Sequence, residues 1–206
     1  KSVNLRAVII AGAQSNGSVG AFNATLYAAI ALRLRSGAVP ANTVGYIRAA
    51  QQANGGWDFA GDPTGSELDI DTTGLAIQAL VAANVAPNDG DLRAGLAFLA
   101  AQHKVSGAWQ AFGSDDPNST SVATLAITAS GFDPTKACWR DVVAPGQAGN
   151  PYASPIAWLR SQQQPDGHIA SPNDGFGVNT FASSQSIEAL RRGWVPVTPL
   201  SPQTCP

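Results

Sequence analysis

Apolar residues recur at helical spacing along most of the chain, and no stretch of useful length alternates apolar and polar residues as a strand does. Phe22, Leu26, Ile30 and Leu34, for example, lie four residues apart and would share one face of a helix. The pattern therefore predicts an all-α protein. Its eight predicted helices cover residues 3–13, 21–35, 43–52, 72–84, 92–102, 119–130, 155–163 and 181–192.

A short phrase recurs where these helices meet, and its clearest copy runs from Gln51 through Gly55 to Trp57. Looser copies begin at Gln14, Gln102 and Gln164 and lead to Phe22, Trp109 and His168. The phrase predicts four helix pairs. We expect Gln to offer its amide to the last helix carbonyls, Gly to turn the chain with positive φ, and the aromatic ring to cover the helix end. An indole N–H would then donate to a carbonyl.

The repeats extend over residues 1–195, which predicts a single domain followed by a Pro-rich tail, residues 196–206. The copies are separated by loops of growing length. The longest insert covers residues 133–154, and it is rich in Gly and Pro. Long inserts in compact domains usually carry function, so we expect this one to be functional or to bind a partner.

Charged residues make up only 13% of the chain, and the formal net charge is −2. This composition lacks the basic surface that a nucleic-acid partner requires. No apolar run is long enough to span a membrane. The chain has no Met, which we interpret as processing or as excision from a longer protein, for instance after loss of a signal peptide. Its two cysteines, Cys138 and Cys205, are predicted to form a disulfide, and we expect an extracellular or cell-surface location.

Gln51, Gly55 and Trp57 match the Gln-x-x-x-Gly-x-Trp repeat of the prenyltransferase and squalene-cyclase superfamily, whose members are α/α toroids. The chain resembles this superfamily over nearly its whole length. The resemblance implies an inner and an outer ring of helices, with the N-terminal ends of the inner helices at the mouth of a central cavity. The inner helices would begin near Asn23, Thr72, Ser119 and Thr180. Four pairs imply a partial or small ring.

The segment from Asp69 to Ala76 carries two further resemblances. It is similar to the Asp-x-Asp-Asp-Thr-Ala segment of class II terpene cyclases, which implies Asp71 as the acid that protonates an isoprenoid, with Asp69 in support. Thr72 stands where the last Asp should be. It is also similar to the Asp-Thr-x-x-Met-Ala segment of vitamin B12 carrier proteins, in which Asp71 would accept a hydrogen bond from a ligand.

Simpler interpretations of these acids remain open. Asp69 or Asp71 can cap the helix that follows, because free N–H groups and the helix dipole favour a carboxylate there. A second set of loop acids could form the carboxylate pair of a glycan-cleaving site, or could be solvated: Asp58, Asp62, Asp115, Asp116 and Asp174. No clustered ligands predict a metal, and no motif predicts a cofactor; His103 and His168 are interpreted as loop or surface residues.

Together these features favour a non-catalytic domain that binds a ligand or a partner protein on the face made by the repeat loops. The residues predicted to line that face are Trp57, Asp69, Asp71, Trp109, Phe176 and Phe181. The expected occupant is a small hydrophobic or corrinoid-like ligand, or another protein. Two alternatives remain: a class II cyclase-like enzyme, and a structural subunit of an extracellular assembly or oligomer.

Overall fold

The protein is all-α, as predicted. A computed structural model describes residues 3–33, 37–173, 180–192 and 198–204. In chain order the described elements are α1 (Leu5–Ala11), α2 (Phe22–Arg33), α3 (Ala41–Ala49), α4 (Ile70–Ala82), α5 (Gly90–Gln102), β1 (Gln110–Ala111), β2 (Ser114–Asp115), α6 (Pro117–Ala129), α7 (Cys138–Val143), a 3₁₀ turn (Pro145–Gln147), α8 (Pro155–Ser161) and α9 (Thr180–Leu190).

All eight predicted helices form, although most begin or end a few residues away from the predicted positions. Three short elements were not predicted: α7, the 3₁₀ turn and the β1–β2 hairpin. Each is too short to show a period in the sequence. No described helix has the length and the apolar character that crossing a bilayer would require.

The helices pack in two rows. In the first row α4 lies between α2 and α6, and α6 lies between α4 and α9. In the second row α3 contacts α2 and α4, α5 contacts α4 and α6, and α8 contacts α6 and α9, while α1 contacts α2. Apart from α1, each helix of the second row therefore fills the groove between two helices of the first row.

The first row is rich in small residues, and α4 shows why. Every residue of α4 from Thr72 to Ala82 is buried, since other helices surround it. A Cβ added at Gly74 would stand 2.7 Å from Cγ1 of Val122 in α6, so the glycine lets the two helices approach closely. Capping fixes where these helices start. Asp69 caps α4 by accepting from Thr72 N–H at 2.9 Å, as the sequence predicted, and Asp116 caps α6 in the same way.

Four turns of identical hydrogen bonding connect the rows. After α3, Gln52 N–H donates to the Gly56 carbonyl and Gly55 N–H donates to the Gln52 carbonyl, both at 2.9 Å. Gly55 has φ of 89°, and a Cβ there would stand 2.5 Å from the Ala94 carbonyl of α5. The equivalent turns begin at Gln14, Lys104 and Gln164, and their glycines are Gly17, Gly107 and Gly167.

This register corrects three parts of the predicted phrase. The position of Gln51 is held by Ala13, His103 and Gln163, so the three looser copies begin there rather than at Gln14, Gln102 and Gln164. The residues equivalent to Trp57 are Val19, Trp109 and Ile169, so Phe22 and His168 do not play that part. The amide of Gln51 donates to the carbonyls of Gly55 (2.8 Å) and Asp91 (2.9 Å), not to the end of its own helix.

The prediction for the two indoles is confirmed. Trp57 donates from Nε1 to the Ile47 carbonyl at 2.7 Å, and Trp109 donates to the Leu99 carbonyl at 2.8 Å. Both carbonyls belong to the helix before the turn. Neither side chain has any exposed surface. The indoles therefore fasten each turn to the preceding helix from inside the core.

A second fastening links each turn to the following helix of the first row. Trp109 N–H donates to the Thr120 hydroxyl at 2.9 Å, and that hydroxyl donates to the Trp109 carbonyl at 3.4 Å. We call this pair of bonds the hydroxyl clasp. Equivalent clasps join Thr25 to Val19, Thr73 to Trp57 and Ser183 to Ile169. The hydroxyl residue is the fourth residue of its helix in every case.

The long insert is held to α5 by a cluster of rings around His103. The His103 ring stacks on Tyr152 with centroids 4.9 Å apart and lies 4.6 Å from the Trp109 ring. Trp139 is fully buried and donates to the Tyr152 hydroxyl at 2.7 Å. Burial, and then the nearby Arg140 charge, lower the pKa of His103 to about 4. His103 is thus a neutral packing residue at pH 7; it lies in the turn after α5, as the loop interpretation predicted, with its ring half-buried in this cluster.

Candidate functional site

The N-terminal ends of α2, α4, α6 and α9 border a cleft of about 620 Å³. The β1–β2 hairpin and the segment before α4 complete its walls. The described residues that line it are Asn23, Tyr27, Phe59, Glu67, Leu68, Asp69, Ile70, Asp71, Thr72, Leu75, Gln78, Gln110, Ala111, Phe112, Ser119, Val122, Leu125, Phe181, Gln185 and Glu188. Three of the six residues predicted for the binding face, Asp69, Asp71 and Phe181, thus meet in one cavity.

Asp71 is the second residue of α4, and its side chain is exposed to the cleft. The surrounding protein displaces bulk water from the carboxyl group, and the charges of Asp69 and Asp116 add to that effect. The Ser119 hydroxyl opposes it by favouring the ionised form. The net result raises the pKa of Asp71 from 3.8 to about 6. Asp71 is therefore an acceptor for a ligand near neutral pH and a proton donor in weakly acidic solution.

Aromatic side chains with large exposed surfaces surround the cleft. Tyr27 is 54% exposed, Phe181 55%, Phe59 67% and Phe112 95%. Phe112 lies at the tip of the hairpin with φ of 48°, followed by Gly113 with φ of 83°. This pair forms a two-residue turn of the I′ type, in which Asn is the favoured first residue. A left-handed conformation is costly for a Phe, so Phe112 is an unfavourable residue for this turn.

The charged residues that are described in the lining of the cleft are all acidic. Four carboxylates line it, those of Glu67, Asp69, Asp71 and Glu188, and no Lys, Arg or His does so in the part of the chain that is described. Burial raises the pKa of the Tyr27 hydroxyl, and the charges of Asp71 and Glu188 raise it further. Tyr27 therefore lies in the negative field of both acids.

The other predicted face residues lie elsewhere. Trp57 and Trp109 are buried in the core and do not line the cleft, so the surface role predicted for them is corrected: they fasten turns. Phe176 lies outside the described residues. Cys138 is the first residue of α7, and its predicted partner Cys205 also lies outside the described residues. The disulfide stays a prediction.

The loop acids hold local structure. Asp58 is buried, accepts from Gln52 Nε2 at 3.1 Å and from Asp62 N–H at 2.9 Å, and so closes the loop after Trp57. Asp116 caps α6 and accepts from Asn173 Nδ2 at 2.9 Å. Asp115 accepts from the hydroxyl of Ser106, which lies in the turn that begins at Lys104, at 2.7 Å. Asp174 lies outside the described residues. Asp62 Oδ1 accepts from Thr64 N–H at 2.9 Å, so local donors account for all the described acids of this set.

Sequence reasoning missed several residues of the cleft, chiefly Tyr27, Gln78, Gln185 and Glu188. The sequence does carry a signal for the residues at the helix N-termini. Aligning the four first-row helices at their N-termini puts Asn23, Asp71, Asn118 and Phe181 at the second position, and all but Asn118 line the cavity. Phe112 carries no such signal because its hairpin is only a few residues long. Comparison with models of protein families, with curated proteins and with solved structures found no match to this chain.

Proposed function

We propose that the chain is an α/α toroid-like domain that binds a ligand in the cleft without transforming it. The observation that carries this proposal is the cleft itself. Its volume of about 620 Å³ lies within the range of small-molecule sites, and it joins an apolar floor to a few polar groups. Leu75, Val122 and Leu125 form part of that floor.

Two features support the toroid-like arrangement. The second-row helices α3, α5 and α8 each contact two neighbours in the first row, which is the packing that two concentric rings would have. The four turns and their hydroxyl clasps share one geometry, so consecutive helix pairs would follow one another with the same relative orientation. In this arrangement the N-terminal ends of α2, α4, α6 and α9 converge on the mouth of the cavity.

Binding of an apolar compound to the rim tests this proposal. Nile red is neutral and apolar, and its fluorescence rises when it leaves water. We expect the dye to bind the wild-type protein, and Phe181→Ala to weaken the binding at least about fivefold, since the ring contributes exposed apolar area to the cleft. Val105→Ala is the matched control because Val105 is 86% exposed but does not line the cleft. Equal loss in both variants, or no binding by the wild type, would contradict the proposal.

A class II cyclase-like activity is the second candidate, and the raised pKa of Asp71 favours it. A protonated carboxyl in a cleft lined by aromatic rings resembles the acid of such an enzyme. Against it, Asp69 is engaged as the α4 cap, and Thr72 replaces the third acid. Incubation with squalene and with geranylgeranyl diphosphate at mildly acidic pH decides the matter. A cyclic product that disappears in Asp71→Asn would establish the enzyme and overturn the binding-only proposal.

An extracellular location, or membership in an extracellular assembly, is the wider setting that we propose for this domain. The low charge of the chain and the predicted Cys138–Cys205 bridge support it. Size-exclusion chromatography with light scattering distinguishes the two roles. A monodisperse monomer across the accessible concentration range would count against the assembly and leave the ligand-binding role intact.

A further inference from the structure

Every charged group in the described lining of the cleft is a carboxylate, which accepts hydrogen bonds. Beyond the four carboxylates, Gln78 in α4 is 3% exposed and lines the cavity. Its Nε2 donates to the Gly74 carbonyl at 3.2 Å, while no described residue donates to its Oε1. Gln185 in α9 also lines the cavity, and its Oε1 is buried without a hydrogen-bond partner among the described residues.

An unpartnered buried acceptor costs free energy, typically about 1–3 kcal/mol. The unpartnered oxygen of Gln185 beside four carboxylates therefore defines the ligand that the cleft would suit: a group with N–H donors and a positive charge. Lys104 is the one cation described beside this wall, and it lines a separate, smaller hollow that shares Leu68 and Phe112 with the cleft. The protein thus leaves the charge of the cleft uncompensated from within its described lining.

The aromatic rings of the cleft also favour a cation, through the cation–π interaction. A cation is attracted to the face of an aromatic ring, and the attraction grows when water is excluded. Tyr27 lies in the field of both Asp71 and Glu188, so a cation near these two acids would also meet the ring. Phe181 lines the same cavity from α9, beside Gln185 and Glu188.

We propose that the cleft binds a small organic cation, a protonated amine with an apolar body. The ammonium group lies among Asp71, Tyr27 and Glu188. The apolar body packs on Leu75, Val122 and Leu125. This inference rests on the proposed ligand-binding function and specifies the chemical class of the ligand.

The experiment compares phenethylamine, which is a cation at neutral pH, with phenethyl alcohol, which has a similar shape and no charge. Both are titrated into the full chain by isothermal calorimetry at low ionic strength, about 20 mM, where surface charges are little screened. We expect the amine to bind at least about tenfold more tightly than the alcohol, since a tenfold ratio needs only about 1.4 kcal/mol. Raising the salt to about 0.5 M should narrow the gap.

Two isosteric variants locate the charge. Asp71→Asn and Glu188→Gln should each weaken amine binding about three- to tenfold and leave alcohol binding unchanged, because only the cation uses the carboxylate charge. Asp166→Asn is the matched control, since Asp166 is an exposed acid of the fourth turn and does not line the cleft. Far-UV circular dichroism verifies that each variant is folded, and Glu188 on α9 keeps the test valid should the Asp71 variant unfold.

The outcomes separate this inference from the function on which it rests. Equal binding of amine and alcohol, with Phe181→Ala weakening both, would refute cation selection while the ligand-binding cleft stands. Amine binding that is unchanged in Asp71→Asn and Glu188→Gln would likewise refute it. Failure of both compounds and of Nile red to bind the wild type would overturn the ligand-binding function together with the inference.

Discussion

The hydroxyl clasp makes a quantitative prediction for the substitution Thr120→Val. Thr120 has no exposed surface, and its Oγ1 is the acceptor for the buried Trp109 N–H at 2.9 Å. Valine has nearly the same shape but cannot accept that bond. The Trp109 carbonyl keeps a partner, because Asp116 N–H donates to it at 2.9 Å. The loss is therefore one buried, unpaired N–H, which costs about 1–3 kcal/mol of the free energy of unfolding.

For a domain of this size each kcal/mol shifts the melting temperature by about 2–4 °C, so we expect a decrease of about 2–12 °C. Urea unfolding followed by tryptophan fluorescence gives the free energy directly, and calorimetry gives the melting temperature. The slope of the urea transition should stay unchanged, since the folded architecture is the same.

Thr124→Val is the matched control, one turn further along α6. Thr124 is equally buried, but its hydroxyl only donates to the Thr120 carbonyl of its own helix, at 2.7 Å. That carbonyl already has the helical bond from residue 124, so the substitution should change stability by no more than about 0.5 kcal/mol. If the two variants lost equal stability, the clasp would have no special energetic role and the reasoning would be refuted.

Three further predictions follow from the cleft and the cysteines. Phe112→Asn places the favoured residue in the I′ turn, so it should raise the free energy of unfolding by about 0.5–1 kcal/mol while weakening Nile red binding. A lower free energy of unfolding in urea would contradict the claim that the backbone at Phe112 is strained. Asp71 binds its proton more tightly in the folded state, so stability should fall as pH rises from 3.8 to about 6, and urea unfolding of Asp71→Asn at a series of pH values should lack that component. Parallel pH profiles of the wild type and Asp71→Asn would contradict the raised pKa that burial, with the charges of Asp69 and Asp116, gives to Asp71. Mass spectrometry after alkylation without reduction should find Cys138 and Cys205 unmodified in one bridged peptide, whereas two alkylated cysteines would exclude the disulfide.

The sequence predicted the helices because their apolar spacing is set by local geometry, and it predicted the Asp69 cap because capping depends on residues three apart. It also predicted the indole bonds, since Trp57 and Trp109 follow a helix end at a short distance along the chain. The spacing could not predict how deeply the two indole side chains are buried. The indoles lie inside the core rather than on the face, because fastening the turn requires their N–H to reach the Ile47 and Leu99 carbonyls.

The candidate site was predictable only in part, for a physical reason. Asp69 and Asp71 stand out because two acids precede an apolar helix. Gln78 and Glu188 do not stand out, because their place in the cleft depends on how α4 and α9 pack rather than on their neighbours in the chain. Phe112 reaches the rim through a hairpin of two-residue strands, which leaves no periodic trace.

The walls of the cleft come from distant parts of the chain, with Tyr27 near one end and Phe181 and Glu188 near the other. During synthesis the ribosome releases Tyr27 long before α9, so the early helices can pack while the cavity still lacks a side. The cleft closes only after α9 docks on α6, so competence to bind follows the release of α9 rather than that of the early helices. A chain that stops before α9 would hold many of its helices and still present the acids of α4 to open water.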